Sequence, residues 1–343
     1  MPNPVFNVVR KKIEQSYIKI TVLLPVFNAG VHLKVAIESI LAQDFADFEF
    51  LIIDDASTDA SAEIIREYAK IDPCIQAIYH SSNQGLAKTL NEGLQEARTD
   101  FVARMDQDDE ALPYRLRTQY LFMKSRPKIA VAGSYFFLMG RNRSRDRLVK
   151  VPTSSSEIVK TLKHQNCLCH PSVMLRRKQV LSLGGYRTEF KNTEDYDLWL
   201  RVSKNYEIAN IPIPLIRYRF SVTGMTLSHK WEQLYYFYLA LAANKDQTLS
   251  LAIGKEEVKK RLEDTNKSEF LENVLKGTTE ELIKLGFFRE TLRLLWLFSK
   301  DIGLKRTLTI GWKLFQNRGL IRKDEDENWL LSRMHDVFEK DSL

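Results

Sequence analysis

The sequence predicts an α/β domain with a mostly parallel central sheet flanked by helices, followed by a helical C-terminal extension. Three observations predict it. Short apolar, β-branched runs alternate with segments of helical period over residues 20–106, as repeated strand–helix–strand crossovers do. Two of those runs end in clusters of acids, at strand carboxyl ends, where α/β sheets bind ligands. From about Lys230 onward the alternation gives way to almost purely helical patterning.

The elements follow in order. Ile20–Val26 is a continuous apolar run, as a strand buried on both faces would be. Leu33, Ala36, Ile37, Ile40 and Leu41 recur at helical spacing. Phe48–Ile53 is a second strand, and Ser57 and Asp59 signal the start of the helix carrying Ile64, Ile65 and Tyr68. Ile75–Tyr79 is a weaker strand, Leu86, Leu90, Leu94 and Ala97 mark a helix, and Phe101–Met105 is a fourth strand. Beyond it, Pro113–Lys124 reads as a helix with proline in its first turn. Ile129–Met139 and Arg147–Val151 read as a strand pair joined by an Arg-rich turn. Ser154 and Glu157 form a capping-box signature, Ser172–Leu175 reads as a strand and Asp195–Val202 as a helix. Ile208–Phe220 is extended and interrupted by proline, which predicts an edge strand.

Length and composition bound the function. A chain of 343 residues suggests about two domains, with expected divisions at 1–18 (an N-terminal arm), 19–229 and 230–343. Three cysteines exclude a disulfide-dense scaffold. No run is apolar enough to span a membrane, and Met1–Lys19 is too polar for a secretory leader, so a cytoplasmic location is expected. The net charge of +7 is unevenly placed: residues 287–323 hold nine Lys or Arg against two acids, which matches the whole excess, and the tail after Lys323 opens with four acids. A second basic cluster, Arg141–Arg147, holds four Arg. Apolar residues such as Leu304, Leu308, Trp312 and Phe315 alternate with Lys and Arg, so residues 287–323 suit either a peripheral contact with an anionic membrane surface at the inner face of the cytoplasmic membrane or a helical cap with a solvated basic face. No helix-turn-helix, zinc-finger or RNA-binding signature accompanies the basic stretch, so no nucleic-acid partner is expected.

The chemistry sits in three acidic clusters: Asp54-Asp55-Ala56-Ser57-Thr58-Asp59, Asp106-Gln107-Asp108-Asp109 and Glu194-Asp195-Tyr196-Asp197. Asp and Ser after a strand are ordinary helix caps, but grouped carboxylates repel one another unless a cation or hydrogen-bond donors neutralise them. Hard oxygen ligands suit Mg²⁺ or Mn²⁺, which suit a diphosphate. Neither G-x-G-x-x-G nor a P-loop occurs, so the usual dinucleotide and nucleoside-triphosphate signatures are missing. Cys167-Leu168-Cys169-His170 offers too few ligands at the wrong spacing for zinc.

Taken together, Leu24–Asn28, Ile53–Asp59, Asn83–Ala87, Met105–Asp109, His170-Pro171-Ser172 and Glu194–Trp199 stand in an order and spacing that resembles glycosyltransferase family 2, inverting enzymes of the GT-A fold. The resemblance covers residues 20 to about 220. It implies a nucleotide-sugar donor, most often UDP-linked, with Mn²⁺ or Mg²⁺ as cofactor. By motif position, Pro25, Val26, Phe27, Asn28 and Asp55 would contact base and ribose, with Ser57 and Lys88 beside the nucleotide. Asp106 would lie nearer the ribose and Asp108 would be the principal metal ligand. Asp195 would be the general base, with Glu194 and His170 lining the acceptor or sugar pocket. The acceptor would be a hydroxyl of a glycan or lipid-linked glycan in cell-surface polysaccharide synthesis. Members of the family often carry a His after a Tyr-Arg pair, but here Tyr218-Arg219 is followed by Phe220-Ser221 and the next His is His229. Two other readings are a catalytically silent nucleotide-sugar-binding partner, against which the intact Asp108 and Asp195 stand, and a nucleic-acid-binding protein.

Overall fold

The computed structural model describes residues 18–219, 230–245, 258, 267–287, 291–292, 294–295, 298–299 and 303–317. The N-terminal arm, His229, six of the nine cations of segment 287–323 and the acidic tail lie outside the described residues. The chain divides into two compact units.

The first unit takes in described residues up to Phe137 together with Leu148–Arg219. At its centre four parallel strands stand in the order β3 (Ile75–Tyr79), β2 (Phe48–Asp54), β1 (Ile20–Val26), β4 (Phe101–Arg104). Every residue of β1, β2 and β4 is buried, which is why these runs are mostly apolar rather than alternating. The crossovers are α1 (Leu33–Leu41), α2 (Ser61–Ile71) and α3 (Leu86–Glu96). Helix α1 buries Leu33, Ala36, Ile37 and Ile40, the stripe its spacing predicts. All three acid-rich or polar turns that follow β1, β2 and β4 therefore open on one edge of the sheet.

Past β4 the sheet becomes antiparallel. β8 (Met174–Arg176) pairs with β4, and β6 (Ile129–Leu138) pairs with β8. The order continues through β9 (Glu207–Tyr218) to the two-residue β5 (Glu110–Ala111), while β7 (Arg147–Val149) pairs with β6. The expectation of an edge strand over 208–220 is corrected here: β9 is flanked on both sides. It tolerates Pro212 and Pro214 because β5 pairs only with Ile216 and Arg217. The strand expected at 172–175 starts later, since His170–Ser172 forms a short 3₁₀ turn with Pro171 in it. Helices α4 (Arg115–Lys124), α5 (Ser155–Leu162), α6 (Arg177–Ser182) and α7 (Glu194–Asn205) complete the unit. The capping box forms on α5 as predicted.

One close approach fixes how α3 lies on β1. A Cβ at Gly93 would stand 2.2 Å from Leu23 Cδ1, with Cδ2 and Cγ also within 3.0 Å. Alanine would raise helix propensity by about 1 kcal/mol, but the whole head of a buried leucine blocks it. Gly93→Ala should therefore lower stability by about 1–3 kcal/mol in urea unfolding, and an unchanged midpoint would show that α3 can lift without cost.

The second unit combines residues 138–147 with described residues after 229. It includes α8 (Lys230–Lys245), α9 (Lys267–Leu285) and α10 (Leu304–Asn317). The Arg-rich turn belongs to it: Arg141 N–H donates to Leu285 O, and Arg147 pairs with Glu281 on α9. Leu308, Ile310 and Phe315 of α10 are buried with Leu271, Leu275 and Leu282, so this apolar face is covered within its own unit. Lys305 and Lys313 stay exposed. Among the described residues no helix is long and apolar enough to cross a membrane.

Candidate active site

The turns after β1, β2 and β4 are tied together by side chains. Asn28, with φ of 49°, donates its N–H to Ser57 Oγ (2.9 Å), and its Oδ1 accepts from Thr58 N–H (2.8 Å). Asp59 accepts from Gly30 N–H and Ser61 N–H rather than capping α2 alone. Gln107, the middle residue of the Asp-Gln-Asp run, clasps Phe27 through both its N–H (2.7 Å) and its O (3.0 Å). Left-handed backbone at Asn28 and at Ala56 (φ 61°) places strained residues at this edge, as functional turns often do.

These contacts sort the predicted donor residues. Phe27 and Asn28 are exposed. Pro25 and Val26 are buried in β1, and Val26 O accepts from Asp55 N–H, so any nucleotide contact in this stretch falls to Phe27 and Asn28. Ser57 is spent on Asn28 N–H. Lys88 is exposed in the first turn of α3. Asp55 is buried and its carboxylate accepts from Gln84 N–H (2.7 Å), Gly85 N–H (2.8 Å) and the ring of His80 (2.6 Å). Those donors outweigh burial and hold its pKa below the usual carboxylate range. Gly85 sits at φ of 87°, which a glycine reaches without strain and which aims its N–H at Asp55.

The second cluster surrounds a buried cation. Arg104, the last residue of β4, is almost fully buried and pairs with Asp106 at 2.5 Å. Its field acts on Asp108, Asp109, Glu194, Asp195 and His170. A second buried guanidinium, Arg115, is held by Gln119, Met105 Sδ and Arg104 O. Asp109 is wholly buried and accepts from Arg219 N–H (2.7 Å), while Arg219 Nε donates to Asp108 O (2.9 Å). Arg219 thus faces Asp108. Burial first, and then the charge of Asp106, pushes the Asp108 carboxyl up to about 6.

Those residues fit a divalent cation. The Asp108–Asp106 edge carries negative charge that its neighbours do not fully neutralise, with Asp106 already committed to Arg104. Among the described residues no group of three His, Cys, Asp or Glu is placed to hold a metal. Mg²⁺ and Mn²⁺ need only one or two carboxylates when phosphate oxygens and water complete the shell, so Asp108 is the residue available to hold one.

The third cluster opens α7. Asp195 lies in the helix's first turn, where the dipole favours an anion. It accepts from Tyr196 N–H (2.7 Å) and from Asn166 Nδ2–H (2.8 Å). Beside it Glu194 is buried, and burial together with the Asp195 charge pushes its carboxyl up to about 7. Burial raises the Asp195 carboxyl too, but its two donors and Arg104 oppose that shift, so of this adjacent pair Asp195 is the better placed to carry the charge. His170 bonds Tyr186 Oη (3.0 Å) and lies edge-on to Trp199; burial and Arg104 hold its pKa well below the ordinary value, so the ring is neutral.

The Asp106–Asp109 and Glu194–Asp195 clusters therefore share one electrostatic centre, with Arg104 and Asp106 acting on both. Residues 21–184 match the family described as Glycosyl transferase family 2. The O-antigen biosynthesis glycosyltransferase WbnJ of Escherichia coli is 32% identical over 204 residues, 58% of this chain and 79% of that one. The chain belongs to glycosyltransferase family 2. The amylovoran biosynthesis glycosyltransferase AmsE of Erwinia amylovora is 30% identical over 231 residues, 64% of this chain and 86% of that one. Among solved structures, S. aureus TarS 1–349 in complex with UDP-GlcNAc aligns with a TM-score of 0.55 at 18% identity, over 88% of this chain and 92% of that chain. The mannosyltransferase PcManGT from Pyrobaculum calidifontis, in complex with GDP-Man and Mn²⁺, aligns with a TM-score of 0.50 at 16% identity, over 95% of this chain and 88% of that chain. The expected GT-A fold is met by these alignments, and the chain is a glycosyltransferase.

Four contributors escaped the sequence reading: Gln107, Asn166, Arg104 and His80. Arg104 carried a signal, a cation ending a strand that is otherwise wholly apolar. Asn166 and His80 carried none, because their partners lie 29 and 25 or fewer residues away.

Proposed function

We propose that this glycosyltransferase moves a sugar from a nucleotide-sugar, a UDP-sugar, to a hydroxyl of a glycan or lipid-linked acceptor in polysaccharide synthesis, with inversion at the anomeric carbon. The observation that carries the reading is Asp195, which takes two hydrogen bonds at a helix N-terminus beside Glu194, a carboxyl that burial and the Asp195 charge push up to about 7. An acceptor hydroxyl is a poor nucleophile at neutral pH, and a fixed carboxylate within hydrogen-bond reach takes its proton as the new bond forms. The names of the E. coli and Erwinia relatives support the pathway class, and the UDP-GlcNAc complex of TarS supports the donor class.

Asp108 would hold Mn²⁺ or Mg²⁺; the ion, when bound, stabilises charge on the departing diphosphate. Phe27 and Asn28 offer an exposed surface to the nucleotide, and Arg219 adds a fixed cation beside Asp108. Glu194 and His170 shape the sugar or acceptor side. We place the enzyme at the cytoplasmic face, drawn to anionic lipid by exposed cations such as Lys305 and Lys313; the apolar face of α10 is taken up in its own core.

Release of nucleoside diphosphate from a panel of UDP-sugars, with Mn²⁺ and then with excess EDTA, tests the reading. Metal-dependent release from at least one donor is expected. Donor binding without release under any condition would instead favour a catalytically silent binding partner.

A further inference from the structure

His80 lies just beyond β3 and joins three elements. Its backbone N–H donates to Asp54 O. Its Nδ1 lies 2.6 Å from Asp55 Oδ1, at the end of β2, and its Nε2 lies 2.7 Å from Glu92 Oε2 on α3. Carboxylate oxygens only accept, so an imidazole bonded to one at each nitrogen must donate from both, and that form is the cation. The ring is mostly buried and Glu92 is partly exposed. Burial opposes the charge, but the two carboxylates outweigh it and raise the pKa above the ordinary histidine value.

No other charge faces the ring on its own segment. Ser81–Gln84 is uncharged, and Arg66 on α2 stacks over Tyr79 instead (4.8 Å). From the end of β2 the facing group is Asp55, and from α3 it is Glu92. The same Asp55 oxygens fix Gln84 and Gly85, so the imidazolium closes a ring of contacts around the Asn83–Gly85 turn at the ligand edge of the sheet.

We propose that His80 is a positioning residue for donor binding: as a cation clamped between Asp55 and Glu92, it locks the Asn83–Gly85 turn and Asp55 into the arrangement that receives the nucleoside diphosphate, and it releases them when it loses its proton. This rests on the nucleotide-sugar reading given above. The sign follows from the raised pKa: the clamp is complete at low pH and is lost as pH rises through the folded value.

The test is calorimetric titration of the full chain with UDP and with GDP in Mn²⁺, between pH 5.5 and 9, alongside kinetics. Wild type should bind one of them, more weakly as pH rises. His80→Gln should weaken binding by about tenfold, the worth of a charge-assisted hydrogen bond, remove the pH trend, and change kcat at saturating donor by less than about twofold. Glu92→Gln, at a partly exposed position that does not threaten folding, should move the loss of affinity to lower pH. A nucleotide affinity and pH trend unchanged in both variants would overturn the clamp while leaving the donor reading intact. If His80→Gln fails to fold, an unchanged trend in Glu92→Gln overturns it. A wild type that binds neither nucleotide overturns both readings.

Discussion

Asp195→Asn should lower transfer by at least ~10²-fold while leaving nucleotide binding close to wild type, in line with what a positioned general base contributes. The side chain keeps its size and can still accept one of the hydrogen bonds now made by Tyr196 N–H and Asn166 Nδ2–H. What it loses is the lone pair that receives the acceptor's proton. Glu194 is a poor substitute, because it is buried and its carboxyl is pushed up to about 7. The pH profile separates this from a packing defect. In wild type both carboxyls are raised by burial, so the rate should fall on acidification as the pair takes up a second proton. In the variant that acid limb should flatten. The measurement is kcat at saturating donor together with the nucleotide Kd. Turnover within about tenfold of wild type would remove Asp195 from the role of base.

How far this site could be read from sequence depends on what each residue touches. The strands β1, β2 and β4 were legible because burial on both faces writes a mostly apolar run. The acids at their ends were legible because a polar cluster directly after such a run has few structural uses. Asp55 shows where that logic thins: it reads as a ligand contact, yet three of its hydrogen bonds hold the protein's own turn. The charge around the acids was only partly legible. Arg104 ends an otherwise apolar strand two residues before Asp106, but Arg219 reaches Asp108 and Asp109 only through the pairing of β5 with β9. The misjudged edge strand has the same origin, since a two-residue partner such as β5 leaves almost no periodic signal, and the prolines of β9 fall beyond its reach.

Asp197→Ala should cost about 3–5 kcal/mol of stability, the range for breaking a buried ion pair from one side. Asp197 is fully buried in the first turns of α7, and it accepts from Arg187 Nε (2.9 Å) and Nη2 and from Arg201 Nε (2.9 Å). Arg201 also donates to Leu183 O (2.7 Å) and Gly185 O (2.6 Å). One carboxylate thus binds the helix that carries Glu194 and Asp195 to the Leu183–Arg187 turn. That turn presents Tyr186 to His170 and is held in turn by Asn91. Alanine would leave two guanidiniums around an apolar hole. Arg187 is partly exposed and can turn to water, which draws the cost toward the lower end; Arg201 is mostly buried and cannot. Urea unfolding gives the magnitude, and a loss under about 1 kcal/mol would show that the cluster relaxes freely. The double variant Asp197→Leu, Arg201→Met separates charge from packing. If the penalty comes from stranded cations, removing the buried one should make the double variant more stable than Asp197→Leu alone; if it comes from the hole, Asp197→Leu, which fills it with both guanidiniums still present, should already recover most of the loss.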